Sequence, residues 1–195
     1  MFLKKNKTIK PKLKIHGKNN IINYPKTSML DLKVIVYGNN NHIEIKTSEF
    51  YSGRIYIGTI DCPVQNCEVS IGERTSCNGS EIWLMENNSK VIIGNDVMFS
   101  DNIYISCTDT HSVIDLDGNL LNYGKSVQIG NHCWIGKFVK ILKNTKISDN
   151  SIVALGSIVT KQFEQTNVVI AGNPAKIVKT NVNWDEERPN KYIKR

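Results

Sequence analysis

From Ile129 onward an aliphatic residue returns at every sixth position, at Ile135, Ile141, Ile147, Val153 and Val159. A second track, running Cys133, Val139, Thr145, Ser151 and Ser157, holds only small or β-branched side chains. Glycine follows the aliphatic residue at Gly130 and Gly136. A helix repeats its apolar face roughly every 3.6 residues and a half-buried strand about every 2, so a strict period of six belongs to neither alone. An internal repeat of this length is the mark of short strands wound into a parallel β-helix. Each step of six accommodates one short strand and a corner, and three steps close a coil of about 18 residues. The aliphatic track then forms an interior ladder and the small track lies near the corners, where bulk does not fit. A single coil cannot bury its aliphatic side chains, so stability comes from stacking neighbours.

The same register extends upstream through Ile93, Phe99 and Ile105, with Gly94 following the first of them. Earlier still, LKVIVYGNNNHIEI (32–45), GRIYIGT (53–59) and CEVSIGERTS (67–76) read as strands separated by Asn/Gly corners, in a looser register. The pattern fails between 106 and 126, SCTDTHSVIDLDGNLLNYGKS, although Ile105 and Ile129 remain a multiple of six apart. This polar stretch with its DG and NYG turns is expected to be a loop extruded from a continuous solenoid, and long loops in compact domains usually carry function. After Lys161 the repeat ends in a G-N-P turn and a final strand, followed by a charged C-terminal tail suited to capping the last coil. The expected organisation is a basic cap or arm over 1–30, a β-helical domain over 31–180 and a tail over 181–195.

Charge changes this picture only at the N-terminus. The net charge is +7, and eight lysines with no acid lie between Met1 and Lys26, which leaves −1 for the remainder. Such a block is ordinarily a solvated arm, and its sharper reading is attraction to an acidic glycan or an anionic membrane surface. Nucleic acid is not indicated, since no aromatic-plus-basic pattern accompanies the lysines. Lysines interrupt any apolar run that a signal peptide would need, and no stretch approaches the ~20 residues of a membrane span. Five cysteines without CxxC spacing indicate neither a disulfide frame nor a zinc site, and a cytoplasmic protein with reduced thiols is expected.

The steps IGNHCWIG and ALGSIVTK, the GNPAK that follows them, and above all TDTHSVID–DG–LN–GKSVQIGNHCWIG resemble the hexapeptide-repeat acyltransferases, in the branch that O-acetylates sugars and bacterial surface polysaccharides, including sialic acid capsules. The resemblance covers about residues 68–180. It implies an all-β, left-handed parallel β-helix; the hand comes from the family, because the usual crossover rule favours the right. It also implies acetyl-CoA as co-substrate without a metal, a homotrimer with active sites between subunits, and direct attack in a ternary complex. The acceptor would be a hydroxyl of a capsular or lipooligosaccharide glycan. The alternatives are a small acceptor, such as an aminosugar nucleotide, a xenobiotic or serine, and a non-catalytic scaffold.

An alcohol needs a base to become a nucleophile at neutral pH, and histidine titrates in the right range. By residue type alone His111 would be an ordinary surface histidine; its place in TDTH aligns it with the family's catalytic base. Asp109 and Asp115 are candidates to orient its imidazole, and both also suit surface turns. Trp134, on the outside of the repeat, matches a family tryptophan that helps place acceptor and acetyl group. The resemblance puts acetyl-CoA along Trp134, Gly136, Ala154, Gly156, Thr160 and Lys161, with Asn173 and Pro174 at the adenine end and Lys179 near the phosphates. Lys137 and Leu155 depart from the pattern, where the family has small residues. His132, at a corner, is expected to face solvent.

Overall fold

The computed structural model describes residues 8–193, so Lys4, Lys5 and Lys7 of the basic arm and the last two residues of the tail lie outside the described residues. The chain winds as a left-handed parallel β-helix with three faces. One face stacks Ile21–Asn23, His42–Ile45, Glu68–Ile71, Lys90–Ile93, Ser126–Ile129, Thr145–Ile147 and Gln162–Phe163. The second stacks Ser76–Cys77, Met98–Phe99, Trp134–Ile135, Ile152–Val153 and Val168–Gly172, and the third Ser80–Leu84, Ile103–Ser106, Lys140–Ile141 and Ile158–Val159. In the early coils the corner between the second and third faces is smoothed out, and one strand, Glu49–Ile57, pairs with both Ser76–Cys77 and Ser80–Leu84.

The period of six maps directly onto these rungs. Trp134 pairs with Ile152 and Lys140 with Ile158, each 18 residues on. Every member of the aliphatic track from Ile129 to Val159 is buried, and so is every member of the small track from Cys133 to Ser157. Each buried aliphatic side chain contributes about 1.5–3 kcal/mol relative to exposure, and the ladder is continuous through the molecule. Gly136 shows why the glycine after the aliphatic matters: a Cβ there would lie 2.8 Å from both Leu155 N and Val153 O of the next coil. The corners use asparagine as much as glycine. Among the described residues, nine of the 14 non-glycine positions with positive φ are asparagines, whose short side chain tolerates that region.

Strand pairing starts inside the 1–30 segment, where Lys12–His16 runs parallel to Leu30–Asn39 and Ile15 packs against the core. At the other end the G-N-P turn joins two antiparallel strands, Val168–Gly172 and Ala175–Thr180, which close the stack with its one non-parallel pair of strands among the described residues. Beyond them the tail folds back so that Trp184 is buried against His132, the two rings stacked at 4.6 Å. His132 therefore does not face open solvent as expected, because the tail supplies an aromatic lid that its place in the repeat does not reveal. Cys67, Cys77, Cys107 and Cys133 are buried, and burial pushes the thiols of the last three up to about 12; Cys62 is exposed. No helix among the described residues is long and apolar enough to cross a membrane.

Candidate active site

The solenoid opens at one rung. Lys90 pairs with Ser126, 36 residues on, where a regular coil takes 18, so the extruded segment adds one coil's length of chain and leaves the count by sixes in phase. The chain leaves after Ile103–Ser106 on the third face and returns at Ser126–Ile129 on the first. Ser106 Oγ donates to the Thr108 carbonyl (2.8 Å) and accepts from Thr108 N–H (3.2 Å), turning the backbone outward. Thr110 N–H then donates to Thr108 Oγ1 (2.7 Å), and Thr110 itself takes the left-handed region at φ 63°, unusual for a β-branched residue. His111 follows immediately.

The neck of the loop is tied by Asn122. Its amide donates to the His111 carbonyl and to Asp109 Oδ2, both at 2.9 Å, and its oxygen accepts Val113 N–H at 2.8 Å. Asp109 also receives Lys143 from the next coil, and the Lys143 ammonium, followed by the Asn122 bond, holds its carboxyl below the usual carboxylate range. Asp115 takes the backbone N–H groups of Asp117 and Asn119 and the Asn119 amide, which builds the loop's tip. Both aspartates thus serve the loop's structure, and neither contacts the His111 imidazole. The imidazole accepts or donates no hydrogen bond among the described residues, while the backbone that carries it is fixed.

Re-entry is equally tight. A Cβ on Gly124 would fall 1.7 Å from the Cys107 carbonyl oxygen. Gly124→Ala is therefore expected to force the neck open, lowering stability by about 1–3 kcal/mol and exposing the loop to protease. A thermal melt with limited proteolysis checks this, and an unchanged cleavage pattern would contradict it.

His111 lines a cavity of about 370 Å³ together with Glu86, Thr108, Met85, Cys62 and Tyr123. A larger hollow of about 620 Å³, bounded by Ser28, Glu49, Arg74 and Met98, contains none of the candidate residues. Glu86 escapes a reading by period: it sits one coil before Thr108 and is tied to it, Thr108 Oγ1 donating to Glu86 Oε1 at 2.8 Å. Burial raises its carboxyl above the ordinary value, against the lowering effect of the Thr108 bond.

Most of the remaining candidates lie elsewhere on the coil, while Thr160 and Lys161 stand on the corner that carries the His111 loop, some rungs on. Trp134 points outward from the second face, 38% exposed, with its indole N–H 3.5 Å from Ser100 Oγ and its ring tilted against Trp184 at 6.2 Å. The pairing register carries its row through Ile152 and Val169 to Lys179, three rungs or ~14 Å away. Gly136, Ala154 and Gly156 occupy the corner between the second and third faces, with Gly136 N–H donating to Val153 O and Gly156 N–H to Lys137 O. Gly156 has φ 71° and open space around it, and Leu155 beside it is 70% exposed. Thr160 and Lys161 are exposed at the next corner, after Ile158–Val159, and Asn173-Pro174 forms the exposed hairpin turn through a cis peptide. Neither Lys161 nor Lys179 is in an ion pair among the described residues. Within one chain, then, Trp134, Gly136, Ala154, Gly156 and Lys179 share one side of the coil. His111 stands on a different corner, and its cavity contains none of them.

Comparison with known proteins identifies the family. Residues 126–161 match the family described as bacterial transferase hexapeptide (six repeats). A polysialic acid O-acetyltransferase of Neisseria meningitidis is 35% identical over 187 residues, 86% of each chain. Among solved structures, the polySia-specific acetyltransferase NeuO superposes with a TM-score of 0.71 at 26% identity, over 92% of this chain and 90% of that one. The polysialic acid O-acetyltransferase OatWY gives 0.66 at 27%, over 92% and 93%. A relationship of this extent sets aside the scaffold reading: the chain belongs to the hexapeptide-repeat transferases and is an O-acetyltransferase.

Proposed function

We propose that the protein transfers acetyl from acetyl-CoA to a hydroxyl of an anionic, sialic acid-containing surface glycan, with His111 as general base. The observation that carries this reading is His111 itself, an unbonded imidazole held on a tied loop at the wall of a cavity. Its ring takes the acceptor's hydroxyl proton as the oxygen attacks the thioester carbonyl carbon. The C–O bond forms, the C–S bond breaks, and the imidazolium returns the proton to the departing sulfur, giving the ester and CoA thiol. No acyl-enzyme is needed, in keeping with four thiols buried in the coil.

Acetyl-CoA would lie along the outer side of the coil that holds Trp134, Gly136, Ala154 and Gly156. The open surface over Gly156 leaves room for the pantetheine arm, Lys161 and Lys179 would meet phosphate groups, and Asn173 and Pro174 would flank the adenine. Because His111 stands on another corner, a site containing both halves requires a second copy. We place it between subunits of a homotrimer, with the exposed apolar side chains of the loop, Val113, Ile114, Leu116, Leu120 and Leu121, covered by the neighbour. Lys12 and Lys33 pair in register on adjacent rungs and give an anionic polymer a cationic approach, while Arg54 on the next rung is paired with Glu81. The reaction belongs in the cytoplasm, where acetyl-CoA and reduced thiols occur together. Release of CoA thiol should be detected with oligosialic acid and acetyl-CoA; turnover with galactosides or serine but none with the sialic acid oligomer would transfer the assignment to a small acceptor.

A further inference from the structure

An imidazole and a carboxylate oxygen at the His111 cavity have no hydrogen-bond partner among the described residues. The imidazole is that of His111. The oxygen is Glu86 Oε2, which is buried. The second oxygen of the same carboxyl is fully used: Oε1 accepts from Thr108 Oγ1, and that hydroxyl oxygen in turn accepts the N–H of Thr110, the residue before His111. Glu86 is thus fixed in orientation relative to the loop that carries the base. No lysine, arginine or histidine forms an ion pair with it among the described residues; Lys143, whose charge acts on it, is held by Asp109. A buried carboxyl oxygen left unbonded is costly and is ordinarily completed by something. Among the described residues, Glu86 lines the cavity that His111 and Thr108 also line.

We propose that Glu86 is a second catalytic residue, whose Oε2 receives a hydrogen bond from a free hydroxyl neighbouring the one that His111 deprotonates. The site would then select acceptors that present two free hydroxyls close together, as polyol side chains and unsubstituted sugar rings do. The reacting oxygen would be placed at the imidazole by its neighbour's hold on the carboxylate. Oε1 keeps the loop in position and Oε2 reads the substrate, so one side chain couples acceptor recognition to the geometry of the base.

The inference rests on His111 being the base, and the test separates the two. Glu86→Gln retains an oxygen for Thr108 and replaces the free acceptor with an amide donor. With oligosialic acid its acceptor KM should rise about 10-fold or more, while acetyl-CoA affinity and thermal midpoint stay unchanged. Single-deoxy sialic acid acceptors supply the other arm. The unaltered enzyme should lose a similar factor on the analogue lacking the neighbouring hydroxyl, and Glu86→Gln should lose little more on it, since the same contact is already gone. Glu86→Gln with the native acceptor KM, or losses from variant and analogue that simply multiply, would overturn the proposal. Should the variant fail to fold, equal turnover of every deoxy analogue that keeps the reacting hydroxyl by the unaltered enzyme would overturn it as well. His111→Ala measured alongside distinguishes the failures: if it keeps turnover the base assignment falls, and if it is inactive while Glu86→Gln is unaffected only the present inference falls.

Discussion

Replacing His111 with alanine is expected to lower acetyl transfer by about 10²- to 10⁴-fold, the range lost when a positioned general base is removed, with acetyl-CoA affinity and thermal stability unchanged. The stability half of this expectation follows from how the loop is held. Its ties run through Asn122, Asp109, Lys143 and the Thr108–Thr110 contact, and His111 contributes only its backbone carbonyl, which alanine also provides. The imidazole is exposed, so its removal leaves no buried cavity and no orphaned partner. The binding half follows from the placement of Trp134, Gly136, Ala154, Gly156 and Lys179 on another side of the coil. Thiol release measured with oligosialic acid reads the first quantity, and calorimetry with CoA and a thermal melt read the others. Retained turnover would refute the assignment and direct attention to Glu86, the other titratable group lining that cavity whose charge could serve as a base. A fall in activity accompanied by a large drop in melting temperature would mean instead that the side chain is structural.

Much of this molecule is legible in one dimension because its core is built in one dimension. The interior ladder needs the same side-chain type at the same point of every rung, so Ile129 through Val159 announce themselves by counting. The extruded loop is equally visible, as the place where the count carries on and the residues do not. Lys90 meeting Ser126 across two coil lengths explains why Ile105 and Ile129 stay in phase. What the period does not disclose is anything joined across rungs by polar side chains. Glu86 and Thr108 are 22 residues apart, in a coil whose length departs from 18, and nothing repeats to mark them as partners. The lysine that meets Asp109 comes from the following coil, and the asparagine that meets it from the far end of the loop. Trp184 lies beyond the repeat altogether, and its stacking on His132 is a tertiary event with no local signal. The strand at Lys12–His16 is hidden among its lysines, and of its apolar residues Ile15 packs on the core while Leu13 is exposed. Motif resemblance supplied His111 and Trp134; only the fold shows that they stand apart.

That separation leads to the second large effect. Trp134→Ala should cost about 10²-fold in turnover, as misplacement of reacting groups does, and so should leave a preparation nearly as inactive as His111→Ala. Co-expressed with different tags and purified as mixed oligomers, the two inactive variants should recover about a quarter of the native activity. The reason is geometric. If each site takes its base from one subunit and its tryptophan from the next around a closed ring, a site is intact when a Trp134→Ala chain supplies the histidine and a His111→Ala chain supplies the tryptophan. Random assortment produces that pairing at one neighbour contact in four, whatever the size of the ring, and sedimentation then reports whether the ring has three members. A site contained within one chain behaves differently, since every chain in the mixture would carry one fatal substitution and mixing could rescue none. Recovery near zero in oligomers shown to contain both tags would therefore place His111 and Trp134 in the same chain's site, and would require the loop to move from its tied position against Asp109, Lys143 and Asn122 to bring them together.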